Sequence, residues 1–322
     1  MEPGSDEIDD GVEVALRPSL LDDFEGQPKA TTLLKMAVAG ARERGEAPDH
    51  ALIYGPPGLG KTTLASILAR ETGGGFKTIM GPSVNRPADL ASVLVSIKAG
   101  DVLFVDEVHR LPPAASELLY GAMEDFRLDI VSDDGRGSGA ISIPLPRFCL
   151  IGATTRPGML QKPFKDRFGL VVSLVPYDDQ SMRSIVSRSA GILGMRLAQG
   201  VEGEVARRSR GTPRLGNSFL RRLRDHAAYQ RMDVVTIDMA EDAFGLLGID
   251  SEGLNDDDRR YLDALGGRFK DRPVGLKALS AVLGMDADAI ENDIEPWLLR
   301  KGMVERSPRG RILPAVQNLL DI

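Results

Sequence analysis

The chain of 322 residues predicts an α/β core, a parallel sheet covered by helices, followed by a small helical lid domain and a C-terminal winged-helix domain. Three observations carry that prediction. Short apolar runs alternate with helix-like segments from about Leu20 to Leu174, the pattern of parallel strands joined by crossover helices. From Pro176 to about Leu247 the apolar spacing becomes helical, with arginines interleaved. Past Gly248, three helix-like segments precede a basic turn and a short apolar run, which is the element order of a winged helix.

Composition bounds the reading. An apolar content of 42% with 27% charged residues is ordinary for a globular protein, and this length suggests two or three domains. One cysteine, Cys149, excludes a disulfide framework within the chain and fits a reducing compartment. No apolar stretch approaches the roughly 20 residues that span a bilayer, and the acidic first residues lack the apolar core of a signal peptide. The expectation is a cytoplasmic protein. The net charge of −7 hides segregation. Residues 1–15 form an acidic tail that reads as mobile, whereas Arg207–Arg224 and Arg300–Arg311 are basic. Local sign, not the total, decides whether a surface can meet phosphate.

The core is expected over residues 16–175. Its predicted strands are Ala51–Tyr54, Thr78–Met80, Val102–Val105 and Phe148–Ala153. The first runs into Gly55-Pro56-Pro57-Gly58-Leu59-Gly60-Lys61-Thr62, which opens the helix-like Thr63–Ala69. The loop satisfies G-x-x-x-x-G-K-[ST] at every fixed position, in the strand–loop–helix setting that gives the pattern meaning. Its glycines let backbone N–H groups converge on an anion at a positive helix end. Gly55, Pro56, Gly58, Leu59, Gly60, Lys61, Thr62 and Thr63 are therefore candidate nucleotide-binding residues, with Lys61 reaching the β- and γ-phosphates. The third strand ends in Asp106-Glu107. A carboxylate there is where such enzymes hold Mg²⁺ together with the loop hydroxyl, which assigns Thr62 and Asp106 to the metal. Glu107, one residue on, is placed to polarise a water for attack on the γ-phosphate. The predicted ligands are ATP and Mg²⁺, and the pair of carboxylates favours hydrolysis over a passive switch.

Between the third and fourth strands, Leu128–Leu145 alternates apolar and polar residues around a glycine-rich tip, Ser132–Gly139, which predicts a protruding hairpin. Ile141 and Ile143 on one arm and Ile130 on the other are expected to be exposed. The lid domain is expected over 176–248 and the winged helix over 249–322, with helices at Asp256–Leu265, Gly275–Leu283 and Asp286–Lys301. The Asp256-Asp257-Asp258 run opens the first of these, where negative charge suits the helix dipole. His50, His109 and His226 fall in unrelated elements and predict no metal site. Trp297 reads as a core aromatic.

The motifs occur together in an informative order. Leu16-Arg17-Pro18, Leu21-Asp22-Asp23-Phe24-Glu25-Gly26-Gln27, the phosphate loop, Asp106-Glu107-Val108-His109-Arg110, Ala122-Met123-Glu124-Asp125-Phe126, Ile151-Gly152-Ala153-Thr154-Thr155-Arg156, Arg210-Gly211-Thr212-Pro213-Arg214 and Pro308-Arg309-Gly310-Arg311 closely resemble the RuvB family. This is the bacterial AAA+ family of motors for Holliday-junction branch migration. The resemblance runs from about Leu16 to the C-terminus. It implies an ATP hydrolase acting on double-stranded DNA as a homohexameric ring, in recombination and repair, with a RuvA-type junction-binding partner and through that complex a RuvC-type resolvase. It also implies residue roles: Thr155 as a polar sensor of the γ-phosphate, Arg214 as a second sensor, and Leu16, Arg17, Pro18 and Tyr177 as the adenine-side wall.

The resemblance further implies that Arg167 is an arginine finger reaching the neighbouring subunit's ATP; the competing assignment is an ion pair to Asp166 or Asp125. Lys165 stands where another arginine is usual, and a lysine cannot supply the planar guanidinium fork. The hairpin resembles the element that docks on RuvA through Ile141 and Ile143, although Gly139 and Ser142 stand where basic residues are usual. On the winged helix, Arg306, Arg309 and Arg311, with Lys301 nearby, are the candidate contacts to DNA phosphates, which need no base readout. Two other readings stay open: a clamp-loader-like AAA+ switch, which the terminal winged helix disfavours, and an ATP-gated winged-helix DNA-binding regulator, which the set of Asp106, Glu107 and Arg167 disfavours.

Overall fold

The structure is a computed structural model that describes residues 14–132, 139–270 and 272–314. Residues 1–13 of the acidic tail, the hairpin tip at 133–138 and the side chain of Ile130 lie outside the described residues. Contacts group the chain into two compact units. One runs to Ile192 and takes in Gly211–Asn217; the other holds Leu193–Arg210 and the chain from Ser218 onward.

The first unit is built on a parallel sheet. After helix α1 (Pro28–Arg44) come β1 (Ala51–Tyr54), α2 (Lys61–Thr72), β2 (Phe76–Met80), α3 (Pro87–Val95), β3 (Val102–Asp106) and α4 (Pro113–Glu124). A hairpin follows, β4 (Arg127–Ser132) and β5 (Gly139–Pro144), then β6 (Cys149–Thr154), the short α5 (Lys162–Lys165), β7 (Leu170–Ser173) and α6 (Asp179–Ile192). The strand order is β2-β3-β6-β1-β7. The central strands are continuous apolar runs because both faces are covered: every residue of β6 is buried, as are Val102–Val105. Helices α3 and α4 cover one face, where Leu90, Leu94, Leu119 and Met123 pack with Leu103, Val105 and Leu150. Buried Cys149 donates its thiol to the Asp49 carbonyl at 3.3 Å, and burial pushes that thiol up to about 12, far from a reactive thiolate.

Register decides where chemistry can occur. Tyr54 is paired with Thr154, and Met80 with Asp106. The chain therefore leaves the sheet at one common edge at Gly55, Glu107 and Thr155, the carboxyl edge at which open α/β sheets bind ligands.

The fifth strand, β7, is absent from the sequence-based prediction. It is an edge strand of four residues of which only Val172 is buried, so it never becomes a continuous apolar run. The hairpin forms as expected in backbone terms, with antiparallel pairs from Arg127↔Pro144 to Ser132↔Gly139. Its side chains correct one expectation. Ile141 is 57% exposed, but Ile143 is opposite the fully buried Leu128 and packs against the core. The two isoleucines share a face of the hairpin, and that face meets the core at its base.

The second unit begins with β8 (Arg196–Leu197) and α7 (Val201–Arg208); α8 (Pro213–Gln230) from Ser218 onward, β9 (Val234–Val235) and α9 (Ile237–Leu246) follow. Phe219 of α8 and Phe244 of α9 meet edge to face, with ring centroids 5.2 Å apart. The winged helix comprises α10 (Asp256–Asp263), α11 (Leu276–Leu283), α12 (Ala287–Ala289) and α13 (Glu295–Arg300), then the hairpin β10 (Glu305–Ser307) and β11 (Gly310–Ile312). Tyr261, Leu265, Leu279, Ile290 and Leu298 form its core. Trp297 is half-buried against that core and donates Nε1–H to the Glu252 carbonyl at 3.2 Å. Among the described residues, no helix is long and apolar enough to cross a membrane.

Candidate functional site: a phosphate loop and a carboxylate pair on one sheet edge

The loop after β1 is shaped by glycine where other residues cannot serve. Gly60 has φ +102°, and Gly58 has φ +77°, with a Cβ that would lie 2.7 Å from Thr212 Cγ2. Gly58 thus lets the loop pass directly beneath the Thr212–Arg214 turn, and its carbonyl accepts the Arg214 backbone N–H at 3.4 Å. Helix α2 starts at Lys61 with no side-chain cap at Gly60. Its first-turn N–H groups are thereby left to an anion.

One pocket takes in Leu16, Arg17 and Pro18 together with Gly58 through Thr63, Asp106, Glu107, Thr155, Tyr177 and Arg214. Most of the expected nucleotide site is therefore brought together. Gly55 and Pro56 are not among its walls. Their carbonyls instead accept the Lys61 ammonium, each at 2.9 Å. Burial lowers the Lys61 pKa against the opposing pull of Glu107 and Asp106. Burial likewise raises that of Asp106, with Glu107 adding to the effect and the Glu107 backbone N–H, Lys61 and Arg214 opposing it. Both shifts mark charges held out of water without a full set of partners.

Asp106 Oδ1 accepts the Glu107 backbone N–H at 2.9 Å. Glu107 itself occupies left-handed backbone at φ +48°, a conformation costly to a side-chain-bearing residue and found at functional turns. Its Oε2 accepts the Thr155 hydroxyl at 3.1 Å, and His109 Nδ1 lies 3.1 Å from the same oxygen. Behind this turn sits Gly81, whose Cβ would fall 2.4 Å from the Glu107 carbonyl oxygen. Tyr177 closes another wall by donating its hydroxyl to the Leu59 carbonyl at 3.1 Å.

A divalent cation suits these residues. Thr62 and Asp106 offer hard oxygens to the same pocket, and the raised Asp106 pKa shows a carboxylate that a cation would relieve. Mg²⁺ is characteristically held by one or two protein oxygens plus water and phosphate, so a dense protein cage is not required.

Arg167 lies outside this pocket. It pairs with Glu124 at 3.0 Å rather than with Asp166 or Asp125, stacks 4.5 Å above Tyr120 and donates to the Pro163 carbonyl at 2.6 Å. The winged-helix arginines separate into two kinds. Arg306 and Arg311 both clamp the fully buried Glu295, with Nε–carboxylate distances of 2.7 and 2.8 Å, and Arg311 also reaches Glu291 at 2.7 Å. These are residues expected on DNA, and both also grip a buried carboxylate, with the Arg306 side chain 45% exposed. Lys301 pairs with Glu252 at 3.0 Å. Arg309 is exposed at the hairpin turn, with only its backbone N–H engaged among the described residues, to Ser307 Oγ.

The sequence-based reading missed Asn217 and Arg188 in the pocket and the contacts of His109 and Asp258 outside it. Asn217 lies one turn beyond Arg214 on α8, so helical spacing signals it. Arg188, on α6, lines the pocket and donates to the Leu16 carbonyl at 2.5 Å. The His109 contact with Thr154 had no local signal, since Thr154 is 45 residues away. Asp258 was credited only with the helix dipole. It is fully buried, ion-paired with Arg210, and its carboxylate accepts the Asn255 backbone N–H at 2.8 Å in an N-terminal capping box.

Comparison with known proteins agrees along nearly the whole chain. Residues 16–174 match the family described as Holliday junction DNA helicase RuvB P-loop domain, 177–250 the RuvB AAA lid domain and 251–316 the RuvB C-terminal winged helix domain. The Holliday junction branch migration complex subunits RuvB of Chloroflexus aurantiacus and Chloroflexus aggregans are each 49% identical over 96% of this chain and 89% of their own length. The solved structure of the Thermotoga maritima RuvB Holliday junction branch migration motor superposes with a TM-score of 0.84 at 39% identity, covering 93% of this chain and 96% of that one. An arginine-to-alanine mutant of the Thermotoga protein gives 0.83 at 39%, covering 93% and 95%. Phosphate loop, carboxylate pair, lid and winged helix all fall within those matches, and the chain belongs to the RuvB family.

Proposed function

We propose that this chain is the ATP-driven motor of Holliday-junction branch migration, hydrolysing ATP to ADP and phosphate to move double-stranded DNA. The observation that carries the reading is convergence: Lys61, Thr62, Asp106, Glu107, Thr155 and Arg214 come from four separate stretches of chain and line one pocket. Together they form a complete set for phosphoryl transfer to water, beyond what nucleotide binding alone requires.

The residues divide the work. Lys61, now bonded to two loop carbonyls, turns to the β- and γ-phosphates. Thr62 and Asp106 would hold a magnesium ion, which when bound neutralises charge on the phosphates. Glu107 accepts a proton from the attacking water. Thr155 and Arg214 contact the γ-phosphate, and Leu16, Arg17 and Tyr177 enclose the nucleoside. Arg167 lies outside its own subunit's pocket, which suits a guanidinium that serves the next subunit of a six-membered ring. The exposed Ile141 suits an apolar contact with a RuvA-type partner, and Arg309 a DNA phosphate.

The test uses Mg-ATP and a synthetic four-way junction with and without a RuvA-type protein. The wild-type chain separates the junction into duplexes only with partner and hydrolysis. Glu107→Gln keeps nucleotide binding and loses turnover, by roughly 10²–10⁴-fold for a displaced general base. Full turnover in that variant removes Glu107 from the role. DNA-stimulated hydrolysis by the wild type with no junction movement removes the motor reading.

A further inference from the structure

One buried side chain in the site has no part in the phosphate chemistry above. The His109 side chain is only 4% exposed, and its Nδ1 lies 3.1 Å from Glu107 Oε2 and 2.8 Å from Thr154 Oγ1. Thr154 is fully buried at the end of β6, and its Oγ1 accepts the Arg156 backbone N–H at 3.0 Å. Thr155 donates to the same Glu107 oxygen at 3.1 Å. We propose that His109 is a positioning residue for Glu107, holding its carboxylate against the end of β6 in the orientation from which it accepts the proton of the attacking water. The proposal rests on the reading of Glu107 as general base.

The hydrogen-bond inventory sets the direction of the contact. An ionised carboxylate only accepts, so a ring nitrogen facing it must carry the hydrogen. Nδ1 is hydrogen-bonded to Thr154 Oγ1 and stands within ion-pair distance of Glu107 Oε2, so the ring joins the strand end to the carboxylate through one nitrogen. Swinging the ring away forfeits the Thr154 hydrogen bond and the Glu107 contact at once, so the rigid strand end is transmitted to the carboxylate through the imidazole. The Thr155 hydroxyl and the imidazole both face Oε2, which leaves Oε1 to receive a proton.

Competition for Thr155 makes the histidine more important once nucleotide is bound. A threonine hydroxyl has one hydrogen to give. Spent on the γ-phosphate, it is lost to Glu107, and His109 then holds the carboxylate without that help. Glu107 needs such restraint, because a glutamate on a left-handed turn has several rotatable bonds between backbone and carboxylate. Misplacing a reacting group by about 1 Å can cost on the order of 10² in rate.

The experiment measures hydrolysis of Mg-ATP at saturation, KM for ATP, and affinity for the fluorescent analogue mant-ADP. His109→Phe keeps an aromatic ring and removes the donor. Its kcat is expected to fall by about 10–10²-fold, with KM and mant-ADP affinity within about twofold of wild type, the pattern of a loss confined to the transition state. His109→Asn offers an amide N–H near the position of Nδ1 and recovers most of the lost turnover. In a Glu107→Gln background, His109→Phe causes no further loss, because its action runs through Glu107. Wild-type turnover in His109→Phe, or losses that multiply in the double variant, overturns the proposal. Should His109→Phe not fold, Thr154→Val removes the second anchor of the ring with little change in shape. A smaller kcat drop at unchanged KM supports the proposal there, and an unchanged kcat overturns it. Full activity of Glu107→Gln alone would sink the general-base reading itself, whereas an inactive Glu107→Gln beside an unaffected His109→Phe sinks only the role of His109.

Discussion

The nucleotide pocket and the winged helix use the same residue types to opposite ends. In the pocket, charges are buried but incompletely satisfied: Lys61 leans on two backbone carbonyls, and burial pushes the pKa values of Lys61 down and Asp106 up. In the winged helix, Glu295 is as buried as a side chain can be, yet Tyr261, Arg306 and Arg311 all donate to it. The same contrast runs through the residues leading into it. Arg208 is 1% exposed, grips Glu241 through two 2.7 Å bonds and lies 4.5 Å over the Phe244 ring. A buried charge with every partner present is committed to the fold, whereas one short of partners is available to a ligand.

The comparison can be broken by removing a charge from each side. Lys61→Met should lower turnover by roughly 10²–10³-fold, the cost of deleting one charge-stabilising donor, while leaving the melting temperature of the nucleotide-free protein unchanged or slightly raised. The sign follows from linkage. The folded pKa of Lys61 is lowered by burial, so the unfolded chain binds that proton more tightly and protonation favours unfolding. This penalty is full below the lowered folded value and is relieved as pH rises through it into the lysine range. A large loss of stability on removing Lys61 would contradict the contrast.

Glu295→Gln is the mirror experiment. It leaves Arg306 and Arg311 without the carboxylate both of them grip and should destabilise by about 3 kcal/mol, the low end for breaking a buried ion pair, because the half-exposed Arg306 can recover water. Denaturant melts read the loss. ATP turnover measured well below the melting transition should stay at the wild-type level. A variant as stable as wild type would show that Glu295 is not the anchor of the wing.

What was legible in the sequence follows from range. The central strands are visible because burial on both faces turns each into an unbroken apolar run, and the phosphate loop because its whole function sits within eight consecutive residues from Gly55 to Thr62. Edge strand β7 escaped because it has only one buried residue, Val172. Ile143 was expected outside because alternation along a hairpin gives the face, and not the depth at which that face reaches the core. The partners of Arg306, Arg311 and His109 escaped for a different reason. Glu295 is 11 and 16 residues from its arginines, and Thr154 is 45 from His109; no local period links such pairs. A basic run in a sequence therefore counts arginines correctly and leaves their intrachain partners out of sight.

Arg309 sharpens that last point with the smallest expected effect on the fold. It sits in the same hairpin as Arg306 and Arg311 but is exposed, with only its backbone N–H engaged among the described residues. Arg309→Ala should change stability by no more than about 0.5 kcal/mol, as surface substitutions away from special features do. Its signature belongs in the salt dependence of DNA binding. Loss of one phosphate contact lowers the slope of log affinity against log salt by about 0.9, and does so equally for duplexes of any sequence. Fluorescence anisotropy on two unrelated duplexes across a salt series reads both features. An unchanged slope would take Arg309 off the DNA, and a loss confined to one duplex would mean that the wing reads bases, which a motor travelling along arbitrary sequence has no use for.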